Sequence, residues 1–76
     1  MCAKTRLTRL TPREHEVLAW LSSGKTNNMI AQDLGISGGT VKIHVRSILR
    51  KLKISSRMEA AIIAVKHGIY QPDRIG

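Results

Sequence analysis

Residues 26–52 read TNNMIAQDLGISGGTVKIHVRSILRKL, and this stretch decides the architecture. Thr26 is a helix-capping residue type. Ile30, Ala31 and Leu34 follow it at the spacing of one helical face, and Gly35 supplies a left-handed stop. The pattern predicts a short helix over 27–34. Gly35-Ile36-Ser37 is a three-residue turn with an apolar plug at Ile36, and Ser37 caps a longer helix over about 38–53. Val41, Val45, Ile48, Leu49 and Leu52 recur there at intervals of three and four, as one buried face requires. A short helix joined through a tight glycine-containing turn to a long one is the layout of a helix-turn-helix.

Outward from this pair, Thr11-Pro12-Arg13-Glu14 opens a helix over about 12–23. Thr11 is its N-cap, Pro12 its first residue and Glu14 the partner in a capping box. Leu10 precedes the cap as a staple, Val17, Leu18 and Leu21 form the apolar stripe, and Gly24 ends the helix. A second box, Ser56-Arg57-Met58-Glu59, opens a helix over about 57–67 that stops at Gly68. The β-branched residues fall at helical intervals and no alternating run reads as a strand. The expected fold is all-α: a compact four-helix domain over 10–69, with a flexible basic arm or linker over 1–9 and a loosely ordered tail over 70–76.

The chain has 76 residues, which is one small core, and such a chain hides only about 60% of its unfolded surface. Thirteen Lys and Arg against five Asp and Glu give a net charge of +8, which calls for a polyanionic partner, nucleic acid before an anionic membrane. Aromatic residues are only 3% of the chain, which argues against modules that stack unpaired bases on aromatic platforms. Cys2 is the sole cysteine, so no internal disulfide forms and a reducing, cytoplasmic setting is expected. No secretory h-region follows the first lysine, and no apolar run approaches the roughly 20 residues of a membrane span.

On the face of the 38–53 helix opposite its core, Gly39, Lys42, Ile43, Arg46 and Arg50 form one stripe. A merely solvated basic face interleaves acids, and no acidic residue stands between Ser37 and Ile54. Lys42 and Arg46 repel one another at a spacing of four, which phosphates and base edges would relieve, and Ile43 suits a thymine methyl. Thr26, Asn27 and Asn28 open one helix and Ser37 and Thr40 the next, where unpaired N–H groups favour an anion. Lys25 and Lys51 flank them as further phosphate anchors. Capping alone accounts for Thr26 and Ser37, which makes Thr40 the better phosphate candidate. His44 reads as a half-buried packing residue, His15 as a surface residue, and His67 as a cation suited to a helix end. None has metal-ligand spacing, and neither a nucleophile with its base nor a phosphate loop is present, so neither an enzyme nor a metal or cofactor site is expected. The last helix is apolar nearly all round. Ile62 is the expected core contact, Met58 is shared between core and surface, and Met58, Ala61, Ala64 and Val65 form the expected face towards a second copy.

LTPREHEVL over 10–18, MIA over 29–31, LGIS over 34–37, TVKIH over 40–44 and KLKISSR over 51–57 together resemble the LuxR-type (NarL/GerE-type) helix-turn-helix domain. The resemblance runs over about 8–69 in order and without gaps. It implies a bacterial transcription regulator that binds double-stranded DNA as a homodimer through the last helix. It assigns base reading to Lys42, Ile43 and Arg46, and places Asn28, Thr40, Ser37 and Arg50 near phosphates. It also implies an N-terminal receiver or sensor domain in many members, so that the chain is either a stand-alone regulator or the output domain of a response regulator. Two departures stand out: Gly38-Gly39 where better helix formers are usual, and Asn28 where a basic residue is common. A glycine inside a helix costs up to ~1 kcal/mol against alanine, less in the first turn, so Gly38→Ala is expected to stabilise. The alternative is sigma-factor region four, a promoter module docked on RNA polymerase. It shares the Leu-Thr-Pro-Arg-Glu opening but leaves the apolar helix after Arg57 unexplained. A cationic membrane-active helix lacks the interfacial aromatics such a role needs.

Overall fold

The structure, a computed structural model, describes residues 6–69. Four helices follow one another: α1 (Pro12–Ser22), α2 (Asn27–Leu34), α3 (Gly38–Leu52) and α4 (Arg57–Lys66). No strand occurs among the described residues, as the spacing of the β-branched residues predicts. Helix α3 packs against all three other helices, and α1 also packs against α4. The expected 70–76 tail and residues 1–5 of the expected arm lie outside the described residues.

Each helix starts where a side chain replaces a missing backbone partner. Thr11, Thr26, Ser37 and Ser56 accept from the N–H of Glu14, Met29, Thr40 and Glu59 respectively. The box at α1 is complete, because the Thr11 N–H also donates to Glu14 Oε1 at 2.9 Å. At α4 the Glu59 carboxylate accepts from the hydroxyls of Ser55 and Ser56. Gly35 takes a left-handed φ of 70°, which turns the chain so that the Ile36 N–H reaches the Ala31 carbonyl at 3.0 Å. Lys53 ends α3 in the same conformation at φ 58°, a place where glycine is the unstrained residue.

The core follows the predicted faces. Val17, Leu18, Ile30, Val41, Ile48 and Leu52 are fully buried, and Leu34, Ile36 and Leu49 pack half-buried against them. Two expectations are corrected. Residues 6–9 are not a loose arm: Leu7 is buried, and Arg6 Nη1 donates to the Leu52 carbonyl at 3.2 Å. The last carbonyls of α3 have no partner within their own helix, and Arg6 serves one of them. His15 is half-buried rather than on the surface, its Nε2 donating to the Leu7 carbonyl at 3.1 Å. His44 is half-buried, as its place beside the apolar stripe predicts.

A third correction concerns α4. Ala60 and Ala64 are fully buried, whereas Ile62 is 50% exposed. The small residues therefore face α1, with Ile63 half-buried beside them. Ala64 leaves the expected face towards a second copy and Ile62 joins it. Alanines spaced by four let a helix lie close on its neighbour, where isoleucine would stand off.

The glycines at the start of α3 differ in their surroundings. An added Cβ at Gly39 has the Ser37 hydroxyl at 3.9 Å as its nearest neighbour, whereas one at Gly38 stands 2.7 Å from Asn28 Oδ1, the outer end of an exposed side chain. Gly39→Ala is therefore the cleaner stabilising change, worth up to about 1 kcal/mol and a rise of a few degrees in Tm. Gly38→Ala follows in the same direction with Asn28 displaced. A calorimetric scan showing Gly39→Ala at or below the parent midpoint would contradict this assignment.

Candidate nucleic-acid interface

The exposed side of α3 carries Gly39, Lys42, Ile43, Arg46 and Arg50, all exposed, with Ile43 65% accessible. The helix periodicity that buries Val41, Val45, Ile48 and Leu52 places these five on the opposite surface. Ile43, Arg46, Ser47 and Arg50 line a shallow depression of about 330 Å³. Among the described residues no ion pair engages Lys42, Arg46 or Arg50. The stripe is a row of uncompensated cations around one apolar side chain, on a helix about the width of a major groove. The sequence-predicted base-reading set is thus brought together on one surface.

The expected phosphate anchors divide. Asn28 and Ser37 are exposed at the starts of α2 and α3, and Thr40 is half-buried. The Ser37 and Thr40 hydroxyls are hydrogen-bonded to each other at 2.9 Å, while Ser37 also caps α3, and Thr26 is occupied as the cap of α2. Lys25 turns away from this surface: its Nζ lies 3.4 Å from Asp33 Oδ2 and 5.0 Å from the Trp20 ring centre. Lys51 is the clearest departure. Its Nζ lies 2.8 Å from Glu14 Oε1 and its side chain is only 28% accessible, so the ammonium is a strut between helices, not an anchor held out to phosphate.

That strut belongs to a network the sequence conceals. Glu14 is the one buried charged residue among those described. Its Oε1 accepts from the Thr11 N–H at 2.9 Å and from Lys51 at 2.8 Å, and its Oε2 accepts from the Ser47 hydroxyl at 2.6 Å. One carboxylate thus caps α1 and clamps it to two residues of α3 spaced by four. Burial alone would raise its pKa; the hydrogen bonds from Lys51, Ser47 and Thr11 and the Lys51 charge outweigh burial and lower it from 4.5 to about 2. A second clasp joins α4 to the start of α2, where Arg57 donates to Asn27 Oδ1 at 2.9 Å and to the Lys25 carbonyl at 3.1 Å. Capping marked Glu14 in the sequence, but nothing there linked it to Ser47 or Lys51, and Arg57, although part of a capping box and of a family motif, was linked to neither Asn27 nor Lys25.

On α4, Met58 (70%), Ile62 (50%) and Val65 (58%) are exposed, with Ala61 half-buried between them. No helix among the described residues is long and apolar enough to cross a membrane, and no group of three or more His, Cys, Asp or Glu side chains there could hold a metal ion.

Residues 8–64 match the family described as bacterial regulatory proteins, luxR family. The nitrate/nitrite response regulator protein NarL of Escherichia coli K12 is 46% identical over 56 residues, 74% of this chain and 26% of its own length. The transcriptional regulatory protein LnrK of Bacillus subtilis is 49% identical over 63 residues, 83% of this chain and 29% of its own. The nitrate/nitrite response regulator protein NarP of Escherichia coli K12 is 50% identical over 54 residues, 71% of this chain and 25% of its own. The chain therefore spans between a quarter and three-tenths of the length of these relatives. The match carries through most of α4, the helix that the sigma-factor reading left unexplained.

Because the Glu14 pKa is depressed, its ionised form is the one that stabilises the fold. That contribution is whole above the ordinary carboxylate value of 4.5 and is lost as pH falls through about 2. Acid unfolding of the parent should steepen in this window, and Glu14→Gln should flatten it while costing about 1–3 kcal/mol at neutral pH. Urea titrations at pH 7, 4 and 3 check this; equal losses of stability on acidification in parent and variant would contradict it.

Proposed function

Since the chain belongs to the luxR family of bacterial regulatory proteins, we propose that it is a sequence-specific, duplex-DNA-binding transcription regulator acting in the bacterial cytoplasm. The observation that carries this reading is the exposed stripe of Lys42, Ile43, Arg46 and Arg50, unopposed by acid and mounted on a helix clamped from behind. Helix α3 enters the major groove, and Lys42, Ile43 and Arg46 meet base edges. Arg50 follows the groove wall, and Asn28, Ser37 and Thr40, at the starts of α2 and α3, lie against the phosphates, where N–H groups and the helix dipole favour anions. The chain works as a binding module, not an enzyme. It serves as the output domain of a response regulator controlled by a receiver or sensor domain, or as a small regulator by itself.

The chain acts as a homodimer, through the surface of Met58, Ala61, Ile62 and Val65. Three exposed large apolar side chains along one helix are more than a small monomer commonly shows to water, and a two-fold axis there would set two α3 helices on half-sites about one helical turn apart.

Arg46→Ala is expected to cost ~1–3 kcal/mol on the preferred duplex and to relax discrimination at a single base pair, read by fluorescence anisotropy on a set of single-substitution duplexes. An equal loss on every sequence would make Arg46 a phosphate contact instead. Ile62→Glu leaves the thermal midpoint nearly unchanged and abolishes self-association and cooperative binding to paired half-sites, measured by sedimentation equilibrium and gel shift. Ala64→Glu, by contrast, drives a charge into the core and unfolds the domain. If Ile62→Glu still assembles and binds cooperatively, α4 is not the dimer surface.

A further inference from the structure

The two helices of the helix-turn-helix meet at their N-termini in one narrow place. Asn28 sits in the first turn of α2 and Gly38 is the first residue of α3. A Cβ at position 38 would lie 2.7 Å from Asn28 Oδ1 and 3.9 Å from its Cγ, with no other atom of that side chain within 4 Å. Real Cβ atoms do not approach oxygen so closely, so any side chain at 38 must dislodge the carboxamide. Gly38 is not among the glycines with positive φ, so backbone conformation does not demand glycine here; what a side chain would meet is the Asn28 carboxamide. The exposed carboxamide lies with one end towards Gly38. Its oxygen is turned in against Gly38, and its NH2 group, with two donors, is turned away from it.

We propose that Gly38 is a positioning residue for DNA binding: the absent side chain leaves the seat that aims the Asn28 NH2 group at the phosphate backbone. The inference deepens the reading of this surface as a duplex-DNA interface and rests on it. A carboxamide already seated against α3 loses little rotamer freedom when it meets phosphate, whereas an exposed asparagine without that seat must be ordered on binding. The glycine weakens the first turn of α3 and at the same time sharpens the contact next to it. Stability and affinity at position 38 therefore respond with opposite signs.

The test is a double-mutant cycle on the parent, Gly38→Ala, Asn28→Ala and the double variant. Thermal midpoints are read alongside anisotropy titrations on preferred and scrambled duplexes over a salt series. Gly38→Ala should keep or raise the midpoint while weakening binding about three- to tenfold, the value of one phosphate hydrogen bond, on both duplexes alike. Asn28→Ala should weaken binding by a similar factor, and the double variant should bind no worse than Asn28→Ala alone. Undiminished binding by Gly38→Ala, or a loss of the same size whether or not Asn28 is present, overturns the proposal while leaving the DNA-binding function intact. A parent that binds no duplex overturns both.

Discussion

The Glu14 carboxylate is the point on which the domain turns. It is a single buried charge, satisfied by a backbone N–H of its own helix cap, a hydroxyl and an ammonium. A buried carboxylate left without such partners would be far too costly to keep ionised. The need to satisfy it therefore fixes where Ser47 and Lys51 must stand, and with them the rotation of α3 about its own axis. Once that rotation is set, Lys42, Ile43, Arg46 and Arg50 have only the solvent side left to them. The hydrophobic core holds the helices together, but apolar packing is tolerant of small slips, whereas three hydrogen bonds to one carboxylate are not.

The same economy appears at the other helix junctions. Arg6 serves a carbonyl at the end of α3, and Arg57 ties the start of α4 to Asn27 and the Lys25 carbonyl. Several of the cations that make the chain so basic are thus structural. Arg6, Lys25, Lys51 and Arg57 are occupied within the domain, whereas Lys42, Arg46 and Arg50 on α3 are engaged in no ion pair among the described residues. Net charge speaks for a polyanionic partner, and the pairing pattern is what singles out α3 as the surface proposed to meet it.

Much of this was legible in the sequence for a physical reason. Caps, left-handed stops and the three-four spacing of Val41, Val45, Ile48 and Leu52 are local signals, and they place α1, α2 and α3 within a residue or so. The exposed stripe on α3 follows directly, because burying one side of an amphipathic helix exposes the other. Helix α4 resisted because nearly every residue from 58 to 65 is apolar, so its hydrophobicity has no phase to read; only contact with α1 reveals that Ala60 and Ala64 face inwards. Leu7 was lost among basic neighbours, and the Glu14–Lys51 pair joins residues 37 apart in the chain, a distance over which no spacing rule speaks.

The central claim is that α3 reads base sequence and does not merely attract phosphate. Selection from a pool of randomised duplexes, followed by anisotropy over a salt series, tests it most directly. The expected result is enrichment of a motif built of two half-sites about one helical turn apart, bound with a steep salt dependence and well above scrambled duplex. Binding that weakens with salt but enriches no sequence would contradict it, leaving the stripe on α3 as a basic surface and nothing more.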